Sequence, residues 1–499
     1  MRTYNSISPR MYGNPKVHKN NFPMRPIVSD IQGPTIKLSR YVAQILTAAY
    51  DQNNPYYVKD SFDFSTQVIG LQLPPEHVVI SLDVVNLFGN ISKGLVLTAI
   101  DFNWDKIEPC CGMSREDFKE IISFLLDSGC FVFDGKFYLQ TFGCIMGSPL
   151  SPILALYVMD YLLAISIPKL TFTLAFLKKY VDDLIIALPL LGIDEIIEVF
   201  NSFDQNLKFT VEREDDNNSV PFLDTRVCRV DNTIKLDWYQ KGTSSGKYIH
   251  FLSDHPIGIK INFIREQKNR INRICDITFR DSSIRRLCGL LLENSYPKTM
   301  VNKLLFSTSD IPRHREEPPQ DVDIGETQVV YRSLPNIHNL TNKIKDCFRD
   351  RKDLRIVSQC KKRVSDLYSR LKDPVPVSLR SSVVYEIECD SCHETYVGQT
   401  SQWLKNRITL HKSDIRTNSP RCALSTHANR LSHNIDFDNV KILDTNSNYR
   451  KRCILEMINI KTQRSQINKK TDTQGLSPIY AYLLEYTRNR PFFDGPVDG

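Results

Sequence analysis

At 499 residues the chain is too long for one hydrophobic core and predicts about three domains at roughly 150 residues each. Its 41% hydrophobic and 24% charged residues describe a globular, soluble protein, and a membrane-spanning one is excluded because Asp160 breaks the apolar run 149–167 and the run 184–193 is short. The net charge of +7 is concentrated rather than spread: Lys343 to Lys372 holds 11 Lys/Arg against 4 Asp/Glu, which points to a polyanionic partner.

The opening residues MRTYNSISPRMYGNPKVHK contain no apolar segment of the secretory kind, so a reducing, intracellular setting is expected. Thirteen scattered cysteines then read as free thiols or metal ligands, not as a disulfide framework. Residues 1–240 alternate short apolar strands (78–84, 131–139, 180–188) with helical stretches (93–100, 115–128, 149–167, 193–206), the pattern of an α+β domain. From Pro256 to Leu305 the pattern is helical, with Lys260, Arg265, Lys268, Arg270 and Arg273 among apolar residues, and predicts an all-helical unit with a basic face. Residues 308–336 are polar and Pro-bearing, a linker. A basic helix follows, closed by Pro374 and Pro376, and the strand signal SSVVYEIEC opens a last domain at 381.

Nucleotidyl transfer needs two divalent cations held by carboxylates that converge from separate strands. HVVISLDVVNLF carries Asp83 at the end of an apolar strand, and FLKKYVDDLIIAL places Asp182 and Asp183 at the tip of a predicted hairpin. Two or three such carboxylates plus substrate phosphates suffice for Mg²⁺. Between them, LQTFGCIMGSPLSPILALYVMDYLL sets Gly143 and Gly147 in a loop ahead of a helix, where the absence of side chains would let backbone approach a base pair.

On the blocks PRMYGNPKVHK, MRPIVSD, SLDVVNLF, GCIMGSPLSPILA, YVDD and PFLDTRV, residues 9–240 resemble the reverse transcriptases of Penelope-like retroelements, relatives of telomerase. The resemblance implies a right-hand polymerase with fingers and palm in 1–240, a helical thumb in 241–310, and a linker with a basic helix in 311–380. The first block stands at Pro9, which implies a fingers region shortened at its start. Asp83, Asp182 and Asp183 would be the Mg²⁺-binding (or Mn²⁺-binding) catalytic acids. Phe88 would lie beneath the sugar and exclude a 2′-hydroxyl. Lys16, Lys19, Arg25 and Gly147 would meet the incoming nucleotide and template.

The last domain reads VVYEIECDSCHETYVGQTSQWLKNRITLHKSDI, with Tyr385 and Tyr396 on successive predicted strands and Arg407 and His411 at i, i+4 on one helix face. Phosphodiester hydrolysis needs a base, a cation against developing charge and a metal held by a carboxylate. A tyrosine or histidine, Arg407 and Glu456 supply these types. The segment resembles GIY-YIG endonucleases, with VVY and YVG in place of the two signature triplets, which implies a small α/β nuclease domain over 381–485 and catalytic roles for Tyr385, Tyr396, Arg407, His411 and Glu456, with Mg²⁺ on Glu456. Asn468 would match the late Asn of that pattern. Cys389 and Cys392, a C-x₂-C pair, with His427 and His433 after a gap of 34 residues, offer two thiolates and two imidazoles for structural Zn²⁺. Cys422, His393 and His411 are further candidate ligands.

The expected function is an RNA-directed DNA polymerase, taking template RNA, a DNA primer and deoxynucleoside triphosphates, tethered to an endonuclease that nicks target DNA. A nuclear place of work follows from that target. The competing expectations are a truncated element that retains only the endonuclease, and a non-catalytic nucleic-acid-binding remnant.

Overall fold

The structure, a computed structural model, describes residues 3–17, 21–306, 329–337, 340–351, 353–359, 367–368, 371–463 and 466–488. Lys19 and most of the proline-bearing stretch 308–336 lie outside the described residues.

The first half is built on a four-stranded antiparallel sheet in the order Phe176–Tyr180, Asp183–Pro189, His77–Val84, Phe209–Arg213. Strand alternation divides it cleanly. Ile80, Leu82 and Val84, with Leu184, Ile186 and Leu188 opposite, enter the main core beneath helices Lys93–Phe102, Arg115–Asp127, Ser151–Ser166 and Ile193–Asn201. Val79, Ile185 and Ala187 point the other way, into a second core closed by Phe64, Val68, Phe222, Val227, Ile234 and Leu236. Both faces are therefore apolar along most of their length, and each buried Leu or Ile contributes ~1.5–3 kcal/mol.

The segment Ser151–Lys169 is long and apolar enough to cross a membrane by composition alone. Its Ile153, Leu154, Val158, Leu162 and Leu163 are buried in the main core, so here the all-round apolarity is that of a central helix.

A second four-stranded sheet follows the order Met24–Ser29, Arg10–Pro15, Cys130–Phe133, Lys136–Leu139. The sequence pattern predicts one strand over 131–139, but the chain reverses at Asp134 (φ 49°) and Gly135 (φ 69°) and pairs with itself. Asp-Gly with both residues at positive φ is the favoured two-residue hairpin connection, and it outweighs the continuous apolar run.

Helices Ile257–Ile274, Ile277–Glu293 and Lys298–Phe306 pack around Ile264, Ile271, Leu287, Leu291 and Val301. Of the expected basic face, Lys260 is buried, Lys268 and Arg270 are half-buried, and Arg265 and Arg273 remain exposed. Lys260 donates to the carbonyls of Phe251 and Ser253, both at 2.6 Å. Arg270 pairs with Asp224, and the Arg273 guanidinium lies 4.0 Å from the Phe62 ring centroid. Lys268 donates to the Leu304 carbonyl at 3.3 Å.

Where the sequence predicts a linker with one basic helix, the described residues form a parallel strand pair, Val330–Pro335 with Leu354–Gln359, joined through the short helix Leu340–Cys347. The alternation in Leu354-Arg355-Ile356-Val357-Ser358-Gln359 wins over the helical reading suggested by charge alone.

The last domain is a three-stranded antiparallel sheet, in the order Thr395–Thr400, Val383–Glu388, Lys441–Thr445. Helices Leu404–Arg416 and Ala423–Leu431 pack together, and Tyr449–Thr462 lies against the sheet.

Candidate active sites

The first site forms at the end of the central sheet. Asp83 and Asp183 are direct cross-strand partners, on the face opposite the helical core, where paired Cβ atoms lie ~4.5–5.5 Å apart. The turn from strand Phe176–Tyr180 into the Asp183 strand consists of Val181 and Asp182, with Val181 at φ 56°. A β-branched residue in that region is strained by ~1–3 kcal/mol, and the tight reversal it permits carries Asp182 to the tip beside Asp183.

Burial raises the Asp182 pKa, and the Asp83 charge adds to the rise. Burial, followed by the charges of Asp182 and Asp83, pushes Asp183 up to about 6. Asp182 and Asp183 thus feel the neighbouring acids, and the trio is a site whose repulsion a cation would relieve. The acids stand apart: among the described residues, the sets of three or more His, Cys, Asp or Glu ligand atoms within 4.8 Å of one another lie in the last domain and do not include this trio.

Two cations act on the acids. Arg25, exposed on strand Met24–Ser29, lowers Asp182, and Lys241 lowers both Asp182 and Asp183. Arg25 is a residue the sequence pattern points to. Lys241 is not, because it stands in a Gly/Ser-rich turn segment with no periodicity and reaches the acids only through the tertiary fold. Lys16 extends the neighbouring hairpin through its backbone, donating to the Pro23 carbonyl at 2.9 Å. Lys208 caps the preceding helix, donating to the Asn201 carbonyl at 2.7 Å.

Phe88 sits half-buried in the short helix Leu87–Asn90 that leaves the Asp83 strand, and its carbonyl accepts from the Cys144 N–H at 2.6 Å. That contact seats the glycine loop against the acidic strand. Gly143 has φ +80°, and a Cβ there would lie 2.5 Å from the Gly89 carbonyl oxygen. Gly147 has φ +121°, and its Cβ would lie 2.2 Å from the Val28 carbonyl oxygen. The backbone approach that the glycines permit is therefore to this chain's own Gly89 and Val28, which lock the loop between the Arg25 strand and the Phe88 helix.

The second site lies in the last domain, and it gathers the five predicted side chains. Tyr385 is fully buried; its hydroxyl is 2.7 Å from His411 Nε2 and accepts from Arg407 Nε at 3.3 Å. Tyr396 is half-exposed, hydrogen-bonds Arg407, and sets its ring 5.3 Å from that of His411. Burial and the Arg407 charge push His411 down to about 3, so the ring is neutral. Burial pushes Tyr396 up to about 12. Of the candidate bases, Tyr385 and His411 are enclosed, and Tyr396 is the one a substrate can reach.

Burial, with the Asp472 charge, pushes Glu456 up to about 7, while the Gln399 N–H and the charges of Arg407 and Arg452 oppose the rise. Asp472 is the acid that sequence reasoning missed, since it stands in a polar tail beyond any recognised block. Asn468 bridges both backbone groups of Val397, accepting from its N–H and donating to its carbonyl, each at 2.8 Å. It holds the strand that carries Tyr396. Gly398 faces Tyr385 across the ladder, and a Cβ there would lie 2.6 Å from the Tyr385 hydroxyl.

Beside this site, Cys389, Cys392, His427 and His433 bring four ligand atoms within 4.8 Å of one another. Sulfur to nitrogen separations are 3.6 Å for Cys389 to His433, 3.5 Å for Cys392 to His427 and 3.4 Å for Cys389 to His427, with 3.2 Å between the two nitrogens. A tetrahedral zinc with bonds of about 2.3 Å to sulfur and about 2.0–2.1 Å to nitrogen has edges of roughly 3.5–3.6 Å and roughly 3.3–3.4 Å. The donor set fits that ion. The far nitrogen of His427 lies 3.5 Å from the Glu394 carboxylate, the usual outer partner of a metal-bound imidazole. Cys422 faces His411 Nδ1 at 3.5 Å, and His393 is exposed beside Glu388, so neither belongs to the set.

Residues 247–305, which contain the three packed helices, match the family described as the animal helix-turn-helix domain. No curated protein matches the chain. Among solved structures it is similar to apo telomerase from Candida tropicalis, at 12% identity and a TM-score of 0.39, covering 61% of each chain. Telomerase from Candida albicans in complex with a fragment of telomeric RNA gives 10% identity and 0.39, over 60% of this chain and 61% of that one. The RNA-dependent RNA polymerase of a human picobirnavirus gives 13% identity and 0.38, over 60% and 61%. The chain spans about 61% of the length of these structures.

Proposed function

We propose that the chain is an RNA-directed DNA polymerase of the Penelope-like retroelement kind, coupled to a GIY-YIG endonuclease that nicks target DNA in the nucleus. The division is fingers and palm in 1–240, thumb in 241–310, linker in 311–380 and nuclease in 381–485. The observation that carries the polymerase reading is the cross-strand pair Asp83 and Asp183 with Asp182 at the strained tip beside them. Mg²⁺ or Mn²⁺ held there would activate a primer 3′-hydroxyl and neutralise the triphosphate. Arg25 and Lys241 place positive charge where phosphates would approach these acids. Phe88, one short turn beyond Asp83, is the group against a ribose 2′-hydroxyl, and the locked Gly147 loop is the floor for the nascent pair. Template RNA, a DNA primer and deoxynucleoside triphosphates are the partners this assembly takes.

In the nuclease, Glu456 would hold Mg²⁺ to polarise the scissile phosphate. Arg407 is aimed by Tyr385 and Tyr396 toward the charge that develops there, and Tyr396 is placed to orient water. Cys389, Cys392, His427 and His433 would hold zinc in a structural role, with no open ligand position.

One observation favours a second reading, in which only the nuclease acts: its five side chains are already in contact or electrostatic reach, whereas the acidic trio is spread. Mg²⁺-dependent extension of a DNA primer on an RNA template separates the two. Extension by the intact chain that falls by about 10²–10³-fold in Asp182→Ala is the expected outcome. No extension by either, with DNA nicking abolished in Glu456→Ala, would replace the first reading with the second.

A further inference from the structure

Lys179 stands two residues before the acidic turn, yet its side chain has no exposure at all. Strand alternation sends Leu177 and Lys179 to the face covered by helix Ser151–Ser166. There the ammonium pairs with Asp160 and donates to the Leu156 carbonyl and the Tyr50 hydroxyl, each at 3.3 Å. Asn54 donates to the same Asp160 oxygen at 3.1 Å. The Lys179 backbone is fixed as well: its N–H donates to the Tyr56 carbonyl at 2.6 Å and its carbonyl accepts from Val58 at 3.1 Å. At the other end of the helix, the Ser151 hydroxyl donates to the Ile145 carbonyl inside the glycine loop at 2.7 Å.

A buried ion pair adds little net stability over an apolar pair of the same volume, because both charges are desolvated. What it adds is direction, since an ammonium with three oxygen partners admits one placement where a leucine admits several. The helix that carries Asp160 begins at the glycine loop, and the strand that carries Lys179 ends at Tyr180, from which the turn leads into Asp182 and Asp183. We propose that the Lys179–Asp160 pair is a positioning staple that sets the acidic hairpin against the glycine loop, and so fixes the spacing of the three acids for a divalent cation. It rests on the metal-binding reading of Asp83, Asp182 and Asp183.

The test titrates Mg²⁺ into the full chain and follows thermal melting, with Asp182→Ala marking the shift that belongs to this site. The Lys179→Met/Asp160→Leu double variant removes both charges and keeps the number of side-chain heavy atoms within one. It is expected to melt cooperatively with a Mg²⁺ midpoint raised about tenfold, as loss of an outer partner of a metal site does. If it does not melt cooperatively, Asp160→Asn, which leaves the ammonium a hydrogen-bond acceptor, is read in the same way. An unchanged midpoint in the folded variant overturns the proposal, and so does the absence of any Asp182-dependent shift in the unsubstituted chain. An Asp182-dependent shift that moves with the staple, in a chain that extends no primer, removes the polymerase reading and leaves the staple standing.

Discussion

The two candidate sites hold half-buried carboxylates among neighbouring charges in opposite ways. At the end of the central sheet Asp83 and Asp183 pair across neighbouring strands with Asp182 in the turn beside them, and the cations that act on these acids, Arg25 and Lys241, are exposed. In the last domain the reactive groups are hydrogen-bonded to each other: Tyr385 holds Arg407 and His411, and Asn468 clamps the strand of Tyr396. The first site is set by the pairing of its strands, and the second by direct contacts between its own side chains. Zinc in the neighbouring Cys/Cys/His/His cluster would add rigidity by tying Cys389 and Cys392 to His427 and His433.

That contrast breaks most visibly under metal removal. Structural zinc supplies folding free energy of about 10–16 kcal/mol in small zinc-binding units. A chelator strong enough to strip zinc, or Cys389→Ser, is expected to abolish DNA nicking and the cooperative melting of the last domain, while the Mg²⁺-dependent melting shift of the first site persists. One zinc per chain by elemental analysis, lost in Cys389→Ser, is the accompanying measurement. A chain that keeps nicking with no zinc bound would show that the Tyr/Arg/His contacts alone hold the site.

A smaller perturbation probes the same rigidity from inside. Gly398→Ala places a methyl group 2.6 Å from the Tyr385 hydroxyl, a position Tyr385 must leave. Overpacking of this kind costs ~1–3 kcal/mol, and here it also releases His411 and Arg407. Nicking is expected to fall steeply, with primer extension unchanged; equal loss of both activities would mean that the two domains do not act independently.

These residues also show how far the sequence could be read. Blocks with strand or helix periodicity, such as Asp83, Asp182 and Asp183 at strand ends, or Arg407 and His411 at i, i+4, lead directly to their positions. Gly143, Gly147 and Gly398 are legible as glycines in motifs, but what crowds them, Gly89, Val28 and Tyr385, is distant in sequence or on another strand. Lys241 and Asp472 carry no pattern and join their sites only by tertiary placement. The basic residues of helix Ile257–Ile274 read as a surface; Arg265 and Arg273 stay exposed, whereas Lys260, Lys268 and Arg270 are wholly or partly buried against partners distant in sequence or on other elements.

The smallest expected effect tests the open character of the first site through pH. Asp183 has a folded pKa raised to about 6 from 3.8, by burial first and by the Asp182 and Asp83 charges after it. A carboxyl whose pKa rises on folding binds its proton more tightly in the native state. Its stabilising contribution is therefore complete below pH 3.8 and is lost as pH climbs through about 6. In metal-free buffer Asp183→Asn removes a charge that the native state tolerates poorly, so at pH 8 it is expected to melt a few degrees above the unsubstituted chain. The difference should close as pH falls toward 4, and saturating Mg²⁺ should reverse its sign, because the cation stabilises the carboxylate and not the amide. Melting curves that coincide at pH 8 without metal would mean that the three acids do not repel one another, and the first site would then be as settled as the second.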